Sequence, residues 1–405
     1  MKHKGIEEEL ARGSDISIIN LIDELLFCAE KSKASDIHID PTMDKIRVRF
    51  RVDGVLQNAF ALPRSIQSEI VSRIKVLSGL PTDEHQKAQD GRFSHGLKDS
   101  KDSIDIRVSI VPTYYGENIV MRLLSDRSES ITLEALGFNK NECAKILHAI
   151  KKPHGMILVT GPTGSGKTTT LYTLIKMLNT KEVSIITLED PVEYAIDDIE
   201  QIQVNPRAGL TFATGLRSIL RQDPNIIMVG EIRDSETANI AVNTALTGHL
   251  LLSTLHTNDT ATTLPRLLDM HIEPYLVAST FSIAIGQRLV RKICDECKES
   301  FKVSEVLAGS LKRPALSGLI AEGDTFYRGR GCDECNDSGY AGRVCINEVL
   351  VANDEIREAI VRKASAEELK NIAIKLGMVT MIRDGIEKAQ AGATTIEEVL
   401  RVVYD

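Results

Sequence analysis

The stretch Gly161-Pro162-Thr163-Gly164-Ser165-Gly166-Lys167-Thr168 constrains this chain more than any other. It fits G-x-x-x-x-G-K-[ST], the spacing of a loop whose backbone N–H groups cradle phosphate. The flanks agree: Met156 to Thr160 is a short apolar, β-branched run, and Thr169 to Leu178 has the pattern of a helix ending at Asn179. A strand, a tight glycine loop and a helix N-terminus make an anion site, because loop N–H groups and the helix dipole converge on one point. In such a site Gly164 and Gly166 allow close backbone approach, Lys167 reaches the outer phosphates, and the Thr168 hydroxyl holds magnesium.

Bulk properties narrow the setting. The chain has 405 residues, enough for two to three domains. Its 42% hydrophobic and 26% charged content is that of a globular protein. A net charge of -8 argues against a general nucleic-acid binder. The longest apolar candidate, Tyr275 to Ile285, is too short to span a bilayer and carries Ser279, Thr280 and Ser282. The N-terminal residues lack the apolar core of a signal peptide. Seven cysteines, with two C-x-x-C pairs, suit a reducing compartment and metal binding better than disulfides. A cytosolic protein is expected.

The first 126 residues read as a mixed α+β domain. Residues 14 to 33 have a helical face of Ile18, Ile22, Leu25, Leu26 and Ala29, with Ser14 or Asp15 as the cap. Lys45 to Val52 alternates strictly, with Ile46, Val48, Phe50 and Val52 on one side and Lys45, Arg47, Arg49 and Arg51 on the other. Asp53-Gly54 is a hairpin turn into a strand over 55–60. A helix is expected over 64–78, then strands over 104–111 and 118–124. The polar run over 126–130 reads as a linker.

Beyond it, strands alternate with helices, and three short apolar runs (183–188, 226–229, 250–254) read as buried parallel strands. Each adjoins a polar motif: Glu189-Asp190-Pro191-Val192-Glu193, Gly230-Glu231-Ile232-Arg233-Asp234, and Gly248-His249 leading to His256-Thr257-Asn258-Asp259. An acid after an apolar strand is what phosphoryl transfer needs, to hold magnesium or orient water. Cys294-x-x-Cys297 and Cys332-x-x-Cys335 predict tetrahedral zinc, although 34 residues between the pairs exceed the commonest spacing. Four thiolates leave no open position, so the metal would be structural. The last sixty residues read as small helices, with Ser365-x-x-Glu368 and Thr395-x-x-Glu398 as capping boxes.

With these motifs placed, the chain resembles the secretion ATPase superfamily, in the branch that powers type II secretion and type IV pilus assembly. The resemblance is carried by Ser35 to Ile39, Arg49 to Val55, Gln89 to Arg92, the P-loop, Leu188 to Pro191, Leu220 to Pro224, Val229 to Asp234, Thr247 to His249, Ser253 to Asn258 and Gln287 to Arg291. It implies an N-terminal α+β domain over 1–126 and a RecA-like P-loop core over 127–290. A tetracysteine zinc module over 291–346 and a C-terminal helical region over 347–405 would follow. It further implies a hexameric motor, peripheral to the cytoplasmic face of the inner membrane, that hydrolyses ATP with magnesium. That motor would move a membrane platform protein, with no nucleic-acid partner.

Residue roles come with the resemblance. Residues from Gly161 through Thr163, Gly164, Ser165, Gly166 and Lys167 to Thr168 and Thr169 would bind phosphate. Glu231 matches a catalytic glutamate, and Gly230 stands where many P-loop proteins carry a magnesium-binding Asp. Magnesium would then rest on Thr168, with help from Glu189, Asp190 or Glu193. His249 and His256 match a γ-phosphate-sensing histidine box. Arg107 and Arg122 match arginine fingers, with Arg217 and Arg221 as weaker candidates. The long N-terminal extension with which many members dock is expected to be absent or very short here, leaving the docking mode open.

Plainer readings stand beside these. Glu231 and Asp234 could be strand-end acids, Glu189 and Glu193 structural ion-pair partners, His249 a core histidine, and Arg107 and Arg122 solvated strand positions. Cys28 and Cys143 are expected in the core, and Cys345, ten residues past Cys335, is expected to be no metal ligand. Two other classes compete with the motor. One is a nucleic-acid translocase, disfavoured by the acidic balance; the other is a nucleotide-gated scaffold that scarcely hydrolyses.

Overall fold

The computed structural model describes residues 4–96, 103–124, 132–304 and 318–404. The chain divides into two compact units, residues 1–128 and 129–405. The expected linker over 126–130 lies outside the described residues.

The first unit contains α1 (Lys4–Leu10), α2 (Ile18–Lys31), β1 (Ala34–Pro41), β2 (Lys45–Val52), β3 (Val55–Pro63), α3 (Gln67–Leu77), β4 (Gln89–Gly96), β5 (Ser103–Thr113) and β6 (Gly116–Leu124). Its six strands form one sheet in the order β3-β2-β1-β6-β5-β4, with antiparallel pairings throughout. The alternation in β2 is realised as written: Ile46, Val48 and Phe50 are buried and join the α2 stripe Ile22, Leu25, Leu26 and Ala29 in one core. Asp53 and Gly54 both have positive φ, 50° and 84°, which gives the tight turn the strands need.

Three local expectations shift. The α2 helix starts at Ile18, not 14, because Ser17 supplies the cap by accepting from the Asn20 N–H. Residues 13–15 form a 3-10 turn and Ile16 is extended, so Asp15 cannot continue into the helix. The Glu9 carboxylate fixes this break by accepting from the Ser17 N–H at 2.7 Å. Likewise α3 begins at Gln67, after a 3-10 turn over 64–66. Strand β4 was not signalled by alternation, since beyond Gln89 only Phe93 turns inward among its eight residues.

The second unit runs α4 (Leu133–Leu136), α5 (Lys140–Ile150), β7 (Gly155–Thr160), α6 (Lys167–Leu178), β8 (Ile185–Glu189), β9 (Glu200–Gln203), α7 (Phe212–Ile219), β10 (Ile226–Val229), α8 (Ser235–Leu246), β11 (Leu250–Leu255), α9 (Thr260–Asp269), α10 (Pro274–Thr280) and β12 (Phe281–Ile293). It continues with β13 (Lys298–Lys302), β14 (Thr325–Gly329), β15 (Tyr340–Val351), α11 (Asp354–Val361), α12 (Ala366–Lys375), α13 (Met381–Gln390) and α14 (Ile396–Tyr404). Seven strands make a sheet in the order β15-β12-β7-β11-β10-β8-β9, parallel except for β15, which runs antiparallel to β12. Strands buried on both faces explain the unbroken apolar runs: Met156 and Leu158 enter one helix-covered layer, Ile157 and Val159 the other.

The expected boundaries at 290/291 and 346/347 fall inside β12 and β15. Both strands belong to the core sheet, so neither position separates independent bodies. The 13-residue β12 starts beside β7 and ends at Ile293, just before Cys294, and β15 returns along it from Tyr340. The apolar run 275–285 is half α10 and half β12. No helix among the described residues is long and apolar enough to cross a membrane.

Candidate active site and metal centre

Strand order brings the site together. Strands β7, β11 and β10 are neighbours, so the segments after their carboxyl ends lie side by side, where an open parallel sheet offers its ligand crevice. The loop after β7 turns at Gly161, whose φ is 145°. A Cβ there would lie 2.3 Å from the Gln287 carbonyl oxygen, so only glycine fits. Lys167 opens α6 and its amine donates to the Gly161 and Pro162 carbonyls at 2.9 and 3.0 Å. Burial lowers its pKa, and the charge of Glu231 opposes that. Thr163, Gly164 and Thr168 are exposed on the loop, Gly166 and Thr169 half-buried, and Ser165 buried.

Glu231 follows β10 and is only 9% exposed. Its Oε2 lies 3.0 Å from Nε2 of His256, just beyond β11, and its Oε1 pairs with the Arg233 guanidinium. Thr160, the last residue of β7, ties its hydroxyl to the Leu255 and Thr257 carbonyls at 3.0 Å, fixing the histidine loop against the phosphate loop. Lys167, Glu231, His256 and Arg233 therefore form one charged cluster. At Gly230 a Cβ would lie 3.3 Å from the Leu188 carbonyl and 3.4 Å from the Glu189 Cα. Strand β8 thus leaves no easy room for an aspartate side chain there.

Other expected site residues are placed elsewhere. Glu189 is buried inside a network, accepting from Thr187 Oγ1 at 2.5 Å, Gln201 Nε2 at 3.2 Å and the Tyr172 hydroxyl. It joins α6 to β8 and β9 and offers no open carboxylate to a ligand, a correction with a plain cause: its side chain follows Thr187 into the interior, two residues along the same strand. Asp190 is exposed and joined by a cis bond to Pro191, and its charge contributes to the raised pKa of Arg233. Glu193 is half-buried, its N–H 3.3 Å from the Tyr172 hydroxyl.

His249 immediately precedes β11. Its Nδ1 lies 3.2 Å from the Thr244 carbonyl, and its own carbonyl accepts from Gly155 N–H at the start of β7. Six strand residues, roughly 20 Å at 3.3 Å each, separate it from His256, so the two histidines do not share this cluster. Asp234 is a helix cap, accepting from the Thr237 N–H at 2.8 Å. Arg217 pairs with Glu236 at 2.8 Å, and Arg221 folds back onto the Arg217 carbonyl at 2.9 Å.

In the first unit, Arg107 and Arg122 are directly opposed on β5 and β6. The same register row continues to Arg92 on β4 and Asp36 on β1. Asp36 holds Arg122 at 3.0 Å and Arg51 at 3.4 Å. The basic face of β2 is likewise paired, with Arg49 2.7 Å and Arg47 3.6 Å from Asp40.

The four cysteines meet at the end of the β12–β15 ribbon. Their sulfurs all lie within 4.8 Å of one another, with pairs at 3.8, 3.9 and 3.6 Å. Thiolates each 2.3 Å from a tetrahedral zinc would be ~3.8 Å apart, so the donor set fits. Backbone N–H groups of Cys332 and Gly339 also point at Cys335 Sγ, at 3.3 and 3.2 Å, as thiolate stabilisation requires. Cys28, Cys143 and Cys345 are buried away from this centre.

Comparison with known proteins agrees with this geometry. Residues 11–401 match the family model described as Type II/IV secretion system protein. The chain belongs to that family. It is 48% identical over 393 residues to Type II secretion system protein E of Xanthomonas campestris pv. campestris, covering 97% of this chain and 68% of that protein. It is 45% identical over 399 residues to the type IV pilus assembly ATPase PilB of Myxococcus xanthus, covering 98% and 70%. Among solved structures it resembles the pilus retraction motor PilT with bound ADP, at TM-score 0.62 and 26% identity, covering 94% of this chain and 96% of that one. The Legionella pneumophila ATPase DotB shares the fold at TM-score 0.67 and 24% identity, covering 95% of each chain.

This member of the secretion family is therefore a RecA-like P-loop ATPase. Three residues that enter these contacts and rows had no role assigned from sequence. Arg233 and Gln287 stand inside motifs quoted for the family resemblance, but their contacts depend on loop geometry and strand pairing. Arg92 joins the arginine row only once the β4–β5 register is known.

Proposed function

We propose that this secretion-system ATPase is a homo-hexameric motor that powers type II protein secretion or type IV pilus or pseudopilus assembly. It would work peripherally on the cytoplasmic side of the inner membrane, through a platform protein and other assembly components. The observation that carries the reading is the convergence of Lys167, Glu231 and His256 beside a glycine loop. The PilB and protein E names of its relatives support the choice of machine. The net charge of -8 does not recommend nucleic acid as the cargo.

In this mechanism the loop N–H groups between Gly161 and Thr169 receive the phosphates, and Lys167 exchanges its carbonyl partners for phosphate oxygens. Glu231 orients the attacking water and takes its proton. Arg233 and His256, one on each carboxylate oxygen, hold that group in place until the water arrives. Magnesium would be held through the Thr168 hydroxyl, with Asp190 and Glu193 as the remaining candidate acids, and would screen the phosphate charge. Arg107 and Arg122, joined by Arg92, would supply positive charge to the transition state from the first unit. Zinc on Cys294, Cys297, Cys332 and Cys335 would brace the far end of the β12–β15 ribbon.

Replacing Glu231 by Gln tests the central assignment. Nucleotide affinity should stay within a few-fold of wild type while turnover falls by about three decades or more, the scale on which a lost catalytic group acts. Hydrolysis at an undiminished rate would sink the role given to Glu231.

A further inference from the structure

Gln287 lies on β12, one residue past the Gly286–Thr160 pairing, and so stands beside the first residue of the phosphate loop. The residue is 1% exposed, and its side chain touches the middle of that loop and the first turn of α6. The amide Nε2 donates to the Ser165 carbonyl at 2.8 Å, and Oε1 accepts from the Thr170 hydroxyl at 2.8 Å. Its own carbonyl excludes a Cβ from Gly161, and its Nε2 would lie 3.1 Å from a Cβ on Gly166. Every polar group of this buried amide side chain that meets the loop is thus committed to it.

The consequence follows from peptide planarity. In a trans peptide the carbonyl and the next residue's N–H point in opposite directions. With the Ser165 carbonyl held outward on Gln287, the Gly166 N–H is turned toward the interior of the loop. That is the direction a phosphate-cradling loop requires of its N–H groups. The bond to Thr170 meanwhile fixes the first turn of α6 to the same side chain, so loop and helix N-terminus keep one relative orientation. Glycines at 161, 164 and 166 leave the loop many other conformations, and a buried bridge of this kind removes them.

We propose that Gln287 is a positioning residue of the nucleotide site, which clamps Ser165 and Thr170 so that the loop is shaped for phosphate before nucleotide arrives. This rests on the reading of the loop as the ATP site. It also gives β12 a part in nucleotide affinity. Asn347 of β15 lies directly opposite Gln287 and is itself fixed by Asp384 of α13, at 2.9 Å.

The test uses the full chain with three substitutions: Gln287→Met, which keeps the shape and loses both bonds; Gln287→Glu, which keeps only the acceptor; and Thr170→Val, which loses one bond. Affinity for a fluorescent ADP analogue, KM, kcat and the unfolding midpoint without nucleotide are measured for each. Loop preorganisation is binding shared by ground and transition states, so KM and Kd should rise while kcat changes little. The expected order is Gln287→Glu and Gln287→Met, about tenfold or more, then Thr170→Val, about threefold. A folded Gln287→Met chain with wild-type Kd and KM overturns the proposal. So does a lowered unfolding midpoint with no change in KM, which is what a merely structural residue would give. Should both Gln287 variants fail to fold, wild-type affinity in Thr170→Val overturns it equally. A wild-type chain that binds no nucleotide fails earlier, at the reading of the loop itself.

Discussion

A single carboxyl shows how burial and neighbours set behaviour at the residue scale. Glu142 is the third residue of α5, where its side chain accepts from the Asn139 N–H to complete a capping box. Burial, and then the charge of Asp384, push its pKa from 4.5 to about 7. Between those values the folded chain holds a proton that the unfolded chain has released. Its contribution to stability is therefore complete below pH 4.5 and is lost as pH rises through 7. Glu142→Gln keeps the capping bond and removes the titration. It should stabilise the protein at pH 8 by on the order of 2 kcal/mol and leave it unchanged near pH 4. Urea midpoints at the two pH values check this; equal shifts at both would assign the effect to packing.

The elements show why sequence signals were only partly honoured. Both C-terminal capping boxes form only half. Ser365 and Thr395 accept from the expected N–H groups, at 3.2 and 3.3 Å, but their glutamates turn elsewhere. Glu368 goes to Arg362, and Glu398 to Arg291 and Arg401. Burial would raise the Glu398 pKa, yet those two guanidiniums hold it at about 2, and it pins α14 to β12. Local pattern located the caps, and charges distant in sequence took the side chains. The tetracysteine turn obeys a similar logic, because its ligands come from the ends of β12 and β15. Cys332→Ala should reduce bound zinc from about one ion per chain and lower the unfolding midpoint, since structural zinc contributes directly to folding. Retention of full zinc and full stability, by atomic absorption and calorimetry, would refute that.

For the whole molecule, the question is what the first unit contributes. Its sheet lines up Arg92, Arg107 and Arg122 across three strands, about 4.8 Å apart per step. If that row meets phosphate during turnover, Arg107→Ala should cut kcat at least a hundredfold while nucleotide affinity moves only a few-fold. Hydrolysis at the wild-type rate in this variant would leave the row a structural feature of the sheet. Mixed assemblies of Arg107→Ala and wild-type chains should lose activity in proportion to mutant content, and constant activity at every ratio would exclude a shared site.

The sequence by itself determined the parts whose cause is local. The glycine loop between an apolar strand and a helix, the alternating β2 with its Asp53-Gly54 turn, the buried parallel runs and the paired cysteines all depend on residues adjacent in the chain. Only the tertiary structure decided which of these meet. Strand order put His256 beside Glu231 and left His249 at the opposite end of β11. It turned Glu189 inward to Tyr172 and set Gln287 against the loop from a strand more than a hundred residues away. Those relations depend on which strand lies next to which, and no local pattern records that.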